Sequence, residues 1–99
     1  MYKGKFVWDE QKHKANINKH DISFLEATSV FDDDNAIYFD DENHSQDEDR
    51  FVVIGMSERS RTLTVCHCYR DDDSVIRIIS ARKADKEEND LYWRQGNAK

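Results

Sequence analysis

Apolar and polar positions fall in short blocks along the chain, and the period of the blocks changes several times. Residues 2–7 (Tyr-Lys-Gly-Lys-Phe-Val) read as a short strand. Trp8-Asp9-Glu10 then breaks that pattern, and Asp9 is placed to cap a helix that runs to about Lys19. Lys12, Lys14, Lys19 and His20 come late in it, where positive charge suits the negative end of the helix dipole. Ser23-Phe24-Leu25-Glu26 has the form of a capping box: the serine oxygen accepts the glutamate amide, and the glutamate returns to the serine amide. Ile22 and Ala27 could staple this turn. The helix carries Phe24, Ala27, Thr28 and Phe31 along one side and stops in Asp32-Asp33-Asp34-Asn35.

Residues 36–39 form a short strand, and residues 40–49 follow as an acidic loop with almost nothing apolar. Three strands come next, over residues 50–57, 62–69 and 74–81. Glu58-Arg59-Ser60-Arg61 joins the first pair and Arg70-Asp71-Asp72-Asp73 the second; polar connections this short favour antiparallel hairpins. Asp85-Lys86-Glu87-Glu88 is another capping box and opens a final helix through Leu91, Tyr92 and Trp93. The order is strand, helix, helix, four strands, helix. That predicts an α+β domain over residues 1–99, with a mainly antiparallel sheet covered by two N-terminal helices and one C-terminal helix.

The chain has 99 residues, room for one modest core, and 37% are hydrophobic. It contains no proline, so Asn, Asp and Ser must make its turns. The formal charge is -6, which argues against a broad nucleic-acid binder. The acid is concentrated in the first half. Arg59, Arg61, Arg70, Arg77, Arg82 and Arg94 all lie in the second half, so a phosphate backbone would be gripped there. No apolar run approaches the roughly 20 residues that span a bilayer. The amino-terminal segment lacks a signal-peptide core, and a cytoplasmic location follows.

Cys66 and Cys68 are two apart in one strand and share a face, a poor geometry for a disulfide between them; both read as reduced, partly buried thiols. His67 between them points the other way, so these three cannot meet at one metal. His44 sits within the acidic loop. Neither that loop nor Asp32–Asp34 has the glycine and terminal glutamate of a calcium loop, and no cofactor is expected.

Arg77 interrupts an isoleucine-rich strand. It reads either as the polar face of a half-exposed strand or as a phosphate ligand, since a planar guanidinium fits phosphate well. Arg82 and Lys83 follow at the strand end, just before the last helix, and complete a small cationic corner. RNA cleavage without metal needs a proton acceptor for the 2′-hydroxyl, a donor for the leaving oxygen and cations for the phosphorane charge. Arg77 and Arg82 suit the last role; His67, Glu58 and Tyr92 are candidates for proton transfer; Arg59, Arg61 and Lys83 are candidates for holding RNA. Arg77 and Arg82 are five apart, so a regular strand would turn them to opposite faces. They can serve one site only if the strand bends near Ser80 or Ala81, or if Arg82 reaches around the strand end.

Four segments carry a family resemblance. Phe6-Val7-Trp8-Asp9 with Lys12, Asn16 and Lys19-His20 is the first. Ser23-Phe24-x-Glu26-Ala27-x-x-Val30-Phe31-Asp32-Asp33 is the second. The third runs from Asp40 to His44-Ser45 and on through Glu48-x-Arg50-Phe51 and Ile54-Gly55. The fourth is Arg77-Ile78-Ile79-Ser80-Ala81-Arg82-Lys83-Ala84. In order and spacing they resemble the BrnT toxins, from Phe6 to about Tyr92. The resemblance implies a compact RelE-like ribonuclease fold and a toxin that cleaves RNA and restrains growth. It also implies a BrnA-like antitoxin, assembled as two copies of each protein, through which operator DNA is bound. Relatives often have glycine where Asp21 stands and proline where Asp34 stands, which bears on the local turns. Two other functions compete: an interaction protein that has kept the fold and lost cleavage, and a small nucleic-acid-binding regulator. The acid excess and the lack of a basic recognition helix disfavour the regulator.

Overall fold

A computed structural model of the protein describes residues 5–41 and 49–97, the last two in backbone only. Residues 2–4 of the expected first strand and residues 42–48 of the acidic loop, with His44, lie outside the described residues. The elements are β1 (Lys5–Val7), α1 (Glu10–His20), α2 (Phe24–Thr28), a 3-10 turn (Ser29–Asp32), β2 (Ile37–Asp40), β3 (Phe51–Met56), β4 (Thr62–Arg70), β5 (Val75–Lys83) and α3 (Lys86–Asn97). The five strands form one sheet in the order β1-β5-β4-β3-β2. β2 to β5 pair antiparallel with their sequence neighbours. β1 joins β5 in parallel, which alternation along the chain could not reveal.

Local chemistry explains the helix ends. Asp9 Oδ1 accepts the amides of Gln11 at 2.8 Å and Lys12 at 3.3 Å. α1 closes on Asp21, whose φ of 59° is left-handed, with its amide bonded to the Ile17 carbonyl. Aspartate is one of the few residues that tolerates this region without being glycine. The last helix has its full capping box: Asp85 Oδ1 accepts the Glu88 amide and Glu88 Oε1 accepts the Asp85 amide, both at 2.9 Å. The box at Ser23 is half made. Ser23 Oγ accepts the Glu26 amide at 3.0 Å, but the Glu26 carboxylate turns to Arg61 and Ser57. At 3% exposure it needs a counter-charge more than one further amide. α2 is also shorter than expected. The hydroxyls of Thr28 and Ser29 donate back to the Leu25 and Glu26 carbonyls at 2.7 and 2.6 Å, and the chain tightens into the 3-10 turn.

The sheet has two unlike faces. On one, Ile22, Phe24, Ala27 and Val30 from the helical side pack on Val53, Leu63, Val65, Ile76, Ile78 and Ala81. Gly55 belongs here: a Cβ at this position would meet Val30 and Ala36 at 3.2 Å, so the 3-10 turn lies directly on β3. On the other face α3 covers a smaller cluster in which Tyr92 packs with Ile37 and Ile54.

One irregularity organises both faces. The register of β4 on β5 shifts between Cys66 and His67, pairing Cys66 with Ser80 but His67 with Ile78, and leaves Ile79 without a partner. The bulge reverses the alternation of β5. Ile76 and Ile78 before it and Ala81 after it are all buried against the helices. Arg77 and Arg82 therefore share the opposite face. The turn in the strand lies at Ile79, one residue before the bend that would have been needed.

Candidate functional site

Arg77 sits between Val7 of β1 and Cys68 of β4 in the sheet. Its neighbours Ile76 and Ile78 are buried in the core on the other side. Its guanidinium makes no hydrogen bond or ion pair with any described residue. It lines an open cleft of about 490 Å³ formed by Lys5, Val7, Trp8, Asp9, Arg70, Asp71, Val75 and Arg77. Lys5 and Arg70 bring further positive charge. Of the two carboxylates, Asp9 is committed to capping α1. The Trp8 wall is fixed from behind by Phe24 and His13, with ring centroids 6.0 and 5.5 Å away. Such a cleft can receive an anion with a flat group beside it.

Arg82 borders a second recess on the same face, about 330 Å³, with Asp41, Arg50, Val52, Thr64, Cys66, Ile79 and Ser80. Its guanidinium is already engaged, donating to both Glu88 oxygens at 2.7 and 2.8 Å. Burial would raise the Glu88 carboxyl, but the bonds from Arg82, the Asp85 amide and Thr64 outweigh it and hold the acid below its ordinary range. Arg82 thus ties α3 to the sheet. Along β5 it stands roughly 15 Å from Arg77, too far for both to grip one phosphate. The Cys66 thiol reaches Asp41 at 3.5 Å; burial and that carboxylate push its pKa up to about 11. Cys66 and Cys68 are free, as their shared face implied.

The other candidates lie apart. His67 faces the helices and is 0% exposed, boxed by the rings of Phe31, Tyr38, Phe51 and Tyr69. Burial lowers its pKa to about 4, so it is neutral at pH 7 and does not share a face with Arg77. Tyr92 is buried beneath α3, where its hydroxyl donates to Asp33 at 2.6 Å. Burial and Asp33 raise that phenol far above its ordinary range. Glu58 and Arg59 are exposed on the β3–β4 turn, and Lys83 is exposed at the end of β5. Arg61 forks onto Glu26, which holds the glutamate carboxyl below its usual value. The fold brings Arg77 and Arg82 to one face and leaves His67, Glu58 and Tyr92 in three separate places.

Lys5, Trp8, Arg70 and Asp71 were not singled out from the sequence as cleft residues. For Arg70 and Asp71 a signal existed. A hairpin about Asp71–Asp73 pairs Cys68 with Arg77 and Arg70 with Val75, which sets Arg70 beside Arg77. For Lys5 and Trp8 there was none, because β1 reaches β5 only through the parallel pairing. Among the described residues no group of three or more His, Cys, Asp or Glu side chains is placed to hold a metal ion.

Comparison with known proteins agrees with this architecture. A family model described as the ribonuclease toxin BrnT of type II toxin–antitoxin systems matches residues 8–88. The 1.1 Å crystal structure of the Brucella abortus ribonuclease toxin BrnT superposes with a TM-score of 0.64 at 25% identity, covering 84% of this chain and 99% of that one. A search of curated protein sequences gives no match. No helix among the described residues is long and apolar enough to cross a membrane.

Proposed function

Since the chain belongs to the BrnT family of ribonuclease toxins of type II toxin–antitoxin systems, we propose that it cleaves cellular RNA without a metal ion, at the open face where Arg77 stands. The observation that carries this is a guanidinium with no partner among the described residues, set in a strand of isoleucines and flanked by Lys5 and Arg70 in one cleft. In such a site the RNA 2′-hydroxyl attacks the adjacent phosphorus, the cations stabilise the charge that grows on the phosphorane oxygens, and the P–O5′ bond breaks to leave a 2′,3′-cyclic phosphate, the departing 5′-oxygen taking its proton from solvent in the open cleft. Asp71, the cleft carboxylate that caps no helix, is the acceptor for the hydroxyl proton. Trp8 offers an edge for a base. Arg82 keeps α3 in place beside the groove. The toxin acts in the cytoplasm and is neutralised by a BrnA-like antitoxin, two copies of each assembling together, with operator DNA contacted through the antitoxin.

The test is cleavage of RNA by the purified protein in chelator, with and without antitoxin, beside Arg77→Ala. The wild type should cleave in chelator and stop when antitoxin is added. R77A should lose on the order of a hundredfold in rate, the size of one preorganised donor, with an unchanged thermal melt. Cleavage that stops in chelator, or a folded R77A as fast as wild type, would overturn the reading.

A further inference from the structure

β2 ends the strand order, with β3 on one side and no strand on the other among the described residues. The Asp41 amide donates to the Arg50 carbonyl at 2.8 Å, which fixes the phase of the ladder. In an antiparallel pair the bonded positions alternate, so Phe39 opposite Val52 and Ile37 opposite Ile54 also turn their backbone groups to β3. The N–H and C=O groups of Tyr38 and Asp40 therefore point away from the sheet. Their side chains and that of Phe39 are exposed, Tyr38 by 50% and Phe39 by 42%.

Edges of this kind are usually blunted by lysine, proline or a bulge. β2 has none of these, and its register on β3 is unbroken. The opposite edge, β1, carries Lys5. The charge around β2 is mainly acidic, with Arg50 opposite Asp41 as an exception. Asp40 and Asp41 close the strand, Asp49 precedes the facing strand, and the sequence holds no lysine or arginine from Asp21 to Asp49.

We propose that β2 is the docking edge for the antitoxin, which adds a short extended segment bearing lysine or arginine as a sixth strand. This rests on the toxin–antitoxin pairing that family membership implies. The outward backbone groups of Tyr38 and Asp40 fix the segment's register, as in other strand additions. The rings of Tyr38 and Phe39, on opposite faces of the strand, give its alternate side chains apolar contact. Asp40 at the strand end receives its positive charge and rejects an acidic competitor.

Amide exchange and one backbone substitution test this. In the complex with the cognate antitoxin, the Tyr38 and Asp40 amides should become protected. Asp40→Pro removes an outward N–H and leaves the β2–β3 ladder intact, while Asp40→Ala removes the same charge and keeps the N–H. Calorimetry should show D40P binding antitoxin about tenfold more weakly than D40A. RNA cleavage by free D40P should match wild type, which keeps this outcome separate from that of the Arg77 cleft. Exchange at Tyr38 and Asp40 that is the same with and without antitoxin would overturn the proposal, and needs no variant to fold. Equal binding by D40P and D40A would overturn it too. So would a wild-type dimer, seen by sedimentation without antitoxin and dissolved by D40P, since the edge would then belong to a second copy of this chain. Failure of every variant and of the wild type to bind antitoxin would remove the pairing itself.

Discussion

The two faces of the sheet treat the same side-chain chemistry in opposite ways. Toward the helices Asn16, Glu26 and His67 are each held by neighbouring groups, while His13 Nε2 is buried there without a hydrogen-bond partner among the described residues. The Asn16 amide donates to the Ile22 and Ala81 carbonyls at 2.8 Å each and accepts the Ala81 amide at 3.1 Å, tying α1 to β5 beyond the end of β1. Glu26 is held by Arg61 and Ser57, and His67 by its aromatic box. Toward the other side Arg77 stands without a partner among the described residues, with Lys5 and Arg70 lining the same cleft. Arg61 and Arg77 thus show that an arginine's role here follows from whether the fold supplies its carboxylate. A buried charge that is paired stabilises little but is costly to break, whereas an unpaired guanidinium at a cleft remains available to a phosphate.

The largest break in that contrast should come from Arg61→Ala. It strands the Glu26 carboxylate, 3% exposed, with the Ser57 hydroxyl at 2.7 Å as its remaining side-chain donor. The expected loss is about 3–5 kcal/mol, read as a lower urea midpoint. The double change R61A with Glu26→Gln should recover part of it, because a neutral amide is cheaper to bury than a lone carboxylate. Arg77→Ala is the counterpart: a lost rate and an unmoved midpoint. An R61A protein within about 1 kcal/mol of wild type would mean that Glu26 is effectively solvated, and the closed face would not be closed.

Smaller, and specific to pH, is the effect at His67. The folded protein protonates it only near pH 4, whereas the unfolded chain takes up that proton near 6.5. Between these values the unfolded state binds more protons, so stability falls as pH drops. The lowered carboxyls of Glu26 and Glu88 act in the same direction at still lower pH, as pH falls through their folded values. From pH 7 to pH 5 the wild type should lose about 2 kcal/mol through His67. His67→Phe keeps an aromatic ring in the box and should abolish that loss. Denaturation at the two pH values decides it; an equal loss in H67F would place the titrating group elsewhere.

How far the sequence disclosed this molecule follows from the range of each interaction. The caps at Asp9, Ser23 and Asp85 and the hairpins between β3, β4 and β5 are local, and they were legible. The Ile79 bulge was not: five-residue spacing shows only that Arg77 and Arg82 need a bend, or a reach of Arg82 around the strand end, to serve one site. The capping-box spacing points Glu26 back to Ser23, three residues away, whereas its partner Arg61 is 35 residues distant in the chain. The ordinary pKa of histidine in water suits His67 to proton transfer. Yet Leu63, Val65, His67 and Tyr69 already placed it, by alternation, on the face of the core. Burial then removed the property that recommended it.

The smallest predicted effect concerns Arg82, where the two faces come closest to sharing a role. Arg82 lies on the open face with Arg77, but its guanidinium forks onto Glu88 as Arg61's does onto Glu26. Its side chain is 43% exposed and that of Glu88 21%, so solvent screens the pair. Removing either partner should cost about 1 kcal/mol, far less than at Arg61. Glu88 also accepts the Asp85 amide and the Thr64 hydroxyl, so Glu88→Gln keeps acceptors for both and should cost no more than Arg82→Ala. The informative quantity is RNA affinity. E88Q frees the Arg82 fork beside the groove and removes a negative charge, so RNA should bind more tightly, and more so at low salt. R82A should bind RNA slightly more weakly and keep most of its cleavage rate, in contrast to R77A. If R82A instead loses cleavage as fully as R77A while its melting midpoint stays within a few degrees, Arg82 contacts the reacting phosphate, and α3 must release it when RNA binds.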